Sequence, residues 1–583
     1  MPAVRAAAVP ACGHARARRS MARMRTHPAL LAACLACTSF AAAAGTLRNE
    51  LVLAGGSLRL CSSMATRDCR DPTRFAALPA TRTTRAARID DETLAAALDP
   101  VLWRVPAQRD ALVPVLAALR ARTGGAPMDE DAMVLLLEAT CTQDGRIAPC
   151  GRRVTAPFAR LDDHARAAVL SALEVAPAAG VQRDVERASL GGGTSPHGAD
   201  VLRAFVAAAA RRAPGRTPRI AVVTASALDP FDPVDAYLDL LRQAGAQVQW
   251  WPLDAALARA VETGRCAQLE HVRMRELRIA RRARVYPDLA ASQQAACADP
   301  AALAAVPDAV DGVFFSGGDQ WRLRRAFFDA RDVPHPWLPR LRAAVERGDV
   351  VIGGTSAGSA VQSGAAMLGN GAARAHRRVF DAAPPDPGCT RAGTCPRGID
   401  EDALTVWRAG GLGLAPGMIV DTHFSERGRT TRLLQALAAT GATRGVGIDE
   451  TSALHLAWQP DGSVLARAIG AQGGWLFDRV RPCTAGVIAA DAHYLAPGAR
   501  AWIGPSVRVE VDAGVASPVP PSQDPAAARN AARRLAVRAE AASAREPGAR
   551  LRFGRGSGFA AWGRPAGVAG LAIHLRAPCP TPP

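Results

Sequence analysis

Ser356 closes a short β-branched run, Val350-Val351-Ile352-Gly353-Gly354-Thr355-Ser356-Ala357-Gly358. A strand that ends in Gly-x-Ser-x-Gly describes a tight bend. Small neighbours tolerate the backbone strain and push the hydroxyl out of the fold, as a nucleophile needs. The residues from Ala357 to Met367 are small enough to form a helix whose first N–H groups would face a developing oxyanion. A second strand-like run, from Asp311 to Phe315, enters Ser316-Gly317-Gly318, a loop with bare backbone N–H groups. Gly318 and Ala357 are therefore the candidate oxyanion donors. Downstream, His423 could take the serine proton and Glu450 could hold that histidine in one tautomer. Other assignments compete. A serine in a Gly-rich stretch also makes ordinary turns. His455 is a second histidine, in a strand-like run, and Asp449 and Asp421 are further carboxylates. Adjacent residues point to different faces, so only one of Asp449 and Glu450 is expected to reach the imidazole.

These side chains need a scaffold that brings loops together from distant parts of the chain. Strand-like runs at 51–56, 219–225, 247–253, 311–315 and 350–355 alternate with helical patterns at 200–212 and 235–245. That alternation predicts an α/β fold with a mostly parallel sheet flanked by helices, and a site at the carboxyl ends of its strands. The stretch from 57 to 190 reads as helical, for example at 92–98 and 111–122, with turns at Gly124-Gly125. Beyond 481 the pattern changes to short strands at 494–497 and 502–511, a Pro/Ser linker at 517–525, an Ala/Arg helix at 526–545 and a strand at 568–575. The expected organisation is a leader at 1–44, a first strand plus helical insertion at 45–190, a catalytic unit at 191–480 and an accessory extension at 481–583.

Four blocks around these residues carry a family resemblance: Gly-Gly-Asp-Gln at 317–320, Gly-Gly-Thr-Ser-Ala-Gly at 353–358, Asp-x-His-Phe at 421–424, and Gly-Ile-Asp-Glu at 447–450. Their order and composition resemble those of cyanophycinases and, more distantly, of dipeptidase E-type serine peptidases. The resemblance covers roughly 190 to 480 plus the first strand. It implies a class I glutamine amidotransferase-like, flavodoxin-like sandwich with serine in place of the cysteine nucleophile. It also implies Ser356 as nucleophile, His423 as base and Glu450 as orienting acid. Gln320, Asp421, Arg427, Arg429 and Arg432 would line the substrate pocket, with two arginines gripping carboxylates by their planar forks. Arg429 and Arg432 would share a helix face, whereas Arg427 and Arg429 would not. The implied activity is cleavage of multi-L-arginyl-poly-L-aspartate to β-aspartyl-arginine dipeptides with no metal or organic cofactor. Thr422 departs from the Gln that the resemblance implies between Asp and His. An insertion with Pro384-Pro385 and the pair Cys389 and Cys395 follows the nucleophile. Both leave open an aspartyl or isoaspartyl dipeptidase, and a catalytically silent peptide- or polymer-binding protein remains the alternative of another class. The residues themselves do not give the oligomeric state; related enzymes are often dimers, so the resemblance leaves a homodimer open.

Composition bounds the setting. The chain has 583 residues, 49% of them hydrophobic, enough for a large core. All 71 basic residues are arginine, which excludes lysine nucleophiles and Schiff-base chemistry. The first 28 residues are basic and free of acid, and an apolar run from Ala29 to Ala44 follows. This is the pattern of an export signal, too short for a membrane span, and it predicts a periplasmic or secreted protein. Leu31-Ala32-Ala33-Cys34 also resembles a lipoprotein box, and Arg18-Arg19 a twin-arginine signal. Three of the 13 cysteines lie in this leader. The other ten fall as near neighbours, Cys61 with Cys69, Cys141 with Cys150, Cys266 with Cys297 and Cys389 with Cys395, while Cys483 and Cys579 bracket the end. Five disulfides in an oxidising compartment are expected, since the mature cysteines show no Cys-x-x-Cys zinc spacing. The net charge is +18. Its arginines are dispersed among acids and only three tyrosines are present, which argues against a nucleic-acid partner.

Overall fold

In the computed structural model, residues 49–143, 146–151, 154–369, 378–484, 486–510 and four later strand segments (542–546, 549–554, 561–562 and 570–578) are described. The leader assigned to 1–44 lies outside them. Glu50-Leu-Val-Leu-Ala54 is buried throughout and forms β1, as expected of a central strand with both faces covered. In chain order there follow β2 (Arg219–Val223), β3 (Gln247–Trp250), β4 (Gly312–Phe315), β5 (Val351–Thr355), β6 (Met418–Thr422), β7 (Arg444–Ile448), β8 (Ser452–Trp458), β9 (Val464–Gly470), β10 (Gly474–Thr484), β11 (Val487–Leu495), β12 (Arg500–Ile503), β13 (Val507–Glu510), β14 (Ala542–Glu546), β15 (Ala549–Gly554), the two-residue β16 (Ala561–Trp562) and β17 (Gly570–Pro578).

Nine strands form the main sheet in the order β13-β12-β9-β8-β1-β5-β4-β2-β3. The half from β1 to β3 is parallel. The half from β1 to β13 is antiparallel. The sheet is thus mixed, where the sequence pattern predicted a mostly parallel one. The antiparallel half arises because β8 and β9, and β12 and β13, are joined by tight connections, and a short connection permits only an antiparallel return. Apolar side chains alternate between two cores. Leu51, Leu53, Val313, Phe315 and Ile352 face one that includes the helix Trp337–Arg347. Val52, Ala54, Phe314 and Val351 face the other, under the helix Pro196–Ala210.

β6 and β7 leave this sheet and open a second one, running on through β10, β11, β17, β15 and β14. β10 runs through the boundary expected at 480, and β12 and β13 extend the main sheet. Residues 481–510 are therefore woven into both sheets. The helix expected at 526–545 lies mostly outside the described residues, and its last positions, 542–545, belong to strand β14. The helix expected from Ala357 to Met367 is a single turn, Ala357–Ala360. The carbonyls of Val361, Gln362 and Ser363, which would have continued it, accept instead from Leu412, Ala415 and Gly411.

The segment before β2 builds a helical unit, with helices Asp91–Ala97, Pro106–Thr123, Glu130–Ala139 and Asp163–Leu173 around a core of their own. Disulfides join Cys61 to Cys69, Cys141 to Cys150, Cys266 to Cys297 and Cys389 to Cys395. Cys483 is also disulfide-bonded, and Cys579 lies outside the described residues. Among the described residues no helix is long and apolar enough to cross a membrane.

Candidate active site

The carboxyl ends of β1, β4 and β5 lie side by side, and each runs into a glycine-bearing loop. At the end of β5, Ser356 sits at φ 53° and ψ −116°, a sparsely populated conformation that costs of order 1–3 kcal/mol and persists only when surroundings enforce it. Here its N–H donates to the Ala54 carbonyl at 3.0 Å. A methyl at Gly358 would lie 2.2 Å from the Phe315 carbonyl oxygen, so only glycine fits where the elbow crosses β4. The loop after β4 packs on the elbow, with Gly317 positioned so that a methyl there would lie 3.5 Å from Ser356 Cβ. Ser226, after β2, fixes that loop: its hydroxyl donates to Ser316 and Gly317 carbonyls, and its own carbonyl accepts from Asp319 N–H at 2.8 Å. Gly318 has φ 147°.

His423 and Glu450 come from the second sheet, at the ends of β6 and β7. Ser356 Oγ lies 2.7 Å from His423 Nε2, and His423 Nδ1 lies 2.6 Å from Glu450 Oε1. The loop after β1 frames the ring. Gly55 O accepts from His423 N–H at 2.8 Å, and a Cβ on Gly56 would stand 2.3 Å from the imidazole Cε1. Ser57 hydrogen-bonds the Glu450 carboxylate, and Glu426 accepts from the Glu450 N–H at 3.0 Å. Burial holds the His423 pKa below its ordinary value; the Glu450 hydrogen bond opposes this, and the positive Arg427 and Arg429 reinforce it. The hydrogen bond from His423 in turn holds Glu450 below the usual carboxylate range. A neutral imidazole with Nδ1–H on a carboxylate and Nε2 free to accept from a hydroxyl is the arrangement a general base requires.

The competing residues are placed elsewhere. Asp449 is fully buried and accepts from Ser425 N–H at 3.0 Å. His455, on β8, hydrogen-bonds buried Glu50. Ser359 donates to the Ala54 carbonyl.

The expected substrate-pocket residues divide. Arg429 and Arg432 do converge, but on a carboxylate of the protein itself. Arg432 makes a two-pronged bond to Asp421 at 3.0 and 2.9 Å, with both side chains buried. Arg429 reaches Asp421 at 3.4 Å and the Thr422 carbonyl at 2.7 Å. Burial, with Arg432 and Arg427 close by, pushes the Arg429 pKa downward. Arg427 is exposed beside His423. Gln320, also buried, donates to the Leu368 carbonyl at 2.7 Å. Sequence reasoning missed Gly56, Ser57, Ser226 and Glu426. For Gly56 a signal existed: Gly55-Gly56 follows β1, as Gly-Gly recurs in the 317–318 and 353–354 blocks.

Comparison with known proteins gives a match over part of the chain. No protein-family model matches the chain. It is 34% identical over 138 residues to the cyanophycinase of Geminocystis herdmanii, covering 24% of this chain and 40% of that protein. It is 34% identical over 143 residues to the cyanophycinase of Trichormus variabilis (24% and 38%), and 36% identical over 139 residues to that of Synechococcus elongatus (24% and 34%). The match thus spans well under half the length of these relatives. An α/β chain with a large mixed sheet, whose elbow serine, histidine and glutamate stand in hydrogen-bonded series, carries a cyanophycinase-family region.

Proposed function

We propose that this protein is an exported serine-type hydrolase that cleaves cyanophycin to β-aspartyl-arginine dipeptides. The observation that carries the reading is the continuous series Ser356 Oγ, His423 Nε2, His423 Nδ1 and Glu450 Oε1, with links of 2.7 and 2.6 Å. His423 takes the Ser356 proton as Oγ attacks a carbonyl adjoining a β-linked aspartate. The tetrahedral oxyanion is received by backbone N–H groups of Ala357 and Gly318. His423 then gives its proton to the leaving amine, and water resolves the acyl-enzyme by the same route in reverse. Because the helix after Ser356 is only four residues long, individual N–H groups carry this step and not a macrodipole.

Arg427, exposed beside the imidazole, is the arginine offered to a substrate carboxylate. Arg429 and Arg432 brace Asp421 and so fix the strand that presents His423. The parallel half of the main sheet, with its strand-to-elbow turn, fits the glutamine amidotransferase-like class. The disulfides among the described residues fit an oxidising compartment. The test is hydrolysis of purified cyanophycin by the protein and by Ser356→Ala. Release of β-Asp-Arg by the wild type alone is the expected result. Equal release by both would remove Ser356 from the mechanism. No release, with Ser356 still labelled by a serine-directed phosphonate, would keep the hydrolase and discard the polymer.

A further inference from the structure

Ser226 lies in a turn after β2, closed by Ala227 N–H donating to the Thr224 carbonyl at 3.0 Å. The Thr224 hydroxyl donates to the Pro230 carbonyl at 2.6 Å and accepts from the Trp250 indole at 3.0 Å. The backbone that carries Ser226 is therefore held in place independently of the loop it touches. Ser226 and Ser316 are both fully buried. Ser226 Oγ lies 2.8 Å from the Ser316 carbonyl, 2.9 Å from the Gly317 carbonyl and 2.8 Å from Ser316 Oγ. A hydroxyl has one proton to give. Ser226 shares it between the two carbonyls, and Ser316 completes the set by donating to Ser226 Oγ.

The other amides of the loop are committed as well. Ser316 N–H donates to the Val223 carbonyl at 3.0 Å, and Asp319 N–H to the Ser226 carbonyl at 2.8 Å. Gly317 N–H hydrogen-bonds the hydroxyl of Tyr237, whose ring packs on Phe314 with centres 5.5 Å apart. Among the described residues the Gly318 N–H has no partner, and Gly318 is exposed. Its direction follows from peptide geometry. The Gly317 carbonyl and the Gly318 N–H belong to one planar trans unit and point opposite ways. With the carbonyl turned inward onto Ser226, the N–H is turned outward. A unit between two glycines is also easy to flip, since no Cβ opposes the rotation. A methyl on Gly318 would lie 2.1 Å from the Ser226 carbonyl oxygen, so no side chain can stiffen the spot. Stiffness must come from the hydrogen bonds.

From this geometry we infer that Ser226 is a positioning residue: by holding the Gly317 carbonyl inward it stops the 317–318 peptide from flipping and keeps the Gly318 N–H available to an oxyanion at Ser356. The inference rests on the hydrolase reading above and deepens it, giving a role to a residue outside the four family blocks. Flipped, the same unit would aim a carbonyl dipole where negative charge develops, and so oppose the step that the N–H assists. Tyr237 acts with Ser226, from the other side of the loop, by taking the Gly317 N–H.

The test compares the full chain with its Ser226→Ala and Tyr237→Phe variants, reading cyanophycin hydrolysis and the rate at which a serine-directed phosphonate labels Ser356. Losing an oxyanion donor outright costs about 10²- to 10³-fold in kcat. Ser226→Ala leaves the donor but frees its plane, and should cost about 10- to 100-fold in kcat with KM within about threefold. Labelling should slow in parallel, since the phosphonyl oxygen takes the place of the oxyanion. Tyr237→Phe removes only the Gly317 partner, from a partly buried side chain, and should lower kcat severalfold at unchanged KM. Ser171→Ala, which removes another buried hydroxyl from the helical unit, should lower melting and leave kcat per folded molecule unchanged. A purely structural Ser226 would behave like Ser171, and that result overturns the inference. A rise in KM at constant kcat overturns it too, by making the loop a substrate contact. If Ser226→Ala does not fold, Tyr237→Phe decides: lowered kcat sustains the inference and unchanged kcat overturns it. Wild type that labels but leaves cyanophycin intact would sink the polymer alone, and the labelling rates then decide Ser226. Wild type that does neither would sink the hydrolase and the inference together.

Discussion

Two histidine–glutamate pairs flank β1, one at each end, and their hydrogen bonds have the same length. His423 Nδ1 meets Glu450 Oε1 at 2.6 Å, and His455 Nε2 meets Glu50 Oε1 at 2.6 Å. What separates them is everything else the four groups touch. Glu50 is fully buried and also bound by Arg211 and Arg212, so its charge is consumed by structure. Glu450 keeps 27% of its side chain exposed, and the other nitrogen of its histidine faces a strained serine. The pair alone is therefore no mark of catalysis. A hydroxyl on the second nitrogen, held there by a backbone that nothing else would choose, is what distinguishes the site from the brace.

The contrast can be broken most sharply at the histidines. His423→Ala should lower kcat/KM on cyanophycin by about 10⁴-fold or more, as loss of one member of a triad does. His455→Ala should leave kcat/KM within about threefold and instead lower stability by about 1–3 kcal/mol, because a buried carboxylate loses a hydrogen bond. Steady-state kinetics and denaturant melts read the two. At the acids, Glu450→Gln should cost about 10³- to 10⁴-fold in kcat with little change in melting, whereas Glu50→Gln should change melting and spare kcat. Gly56→Ala comes next. Its methyl would strike the imidazole at a backbone φ of +104°, and a displacement near 1 Å costs about 100-fold in kcat, with phosphonate labelling slowed in parallel.

The smallest effects are in pH. Because burial holds His423 below its ordinary value, kcat/KM should fall on the acid side with a midpoint below about 6.5, the usual histidine value. A midpoint above 7 would mean that the buried imidazole is not the titrating base. Glu50 behaves differently: burial opposes its charge, but His455 and the two arginines outweigh that and lower its pKa. A lowered carboxylate pKa adds stability above the unfolded value near 4.5, lost as pH falls through the folded value. Wild type should therefore lose more stability than Glu50→Gln between pH 5 and 3.

The chain gave away its elbow and its loops because they are local: a β-branched run, two glycines and a small-residue turn fit in a dozen positions. The triad candidates could be read from short blocks as well; strand alternation said only that one of Asp449 and Glu450 would reach the imidazole, and the family resemblance pointed to Glu450. The mixed character of the sheet was harder to see, because β8 is buried along most of its length, as a parallel core strand would be. The fate of Arg432 was illegible for another reason. Its carboxylate partner is Asp421, 11 positions earlier and on a different element, and nothing local says that both will be buried. The seat of the imidazole on Gly56 depends on a contact across more than 360 positions.

That last contact also governs when the protein can act. Its candidate nucleophile, base and orienting acid rest on a loop after the first strand, so no partial chain owns a working centre. A ribosome must deliver residues beyond 450, and the first strand must find both β5 and β8, before the serine has a base to serve. Such non-local closure makes slow, late assembly the expectation. A polypeptide still extended in synthesis therefore lacks the arrangement of Ser356, His423 and Glu450, by topology alone.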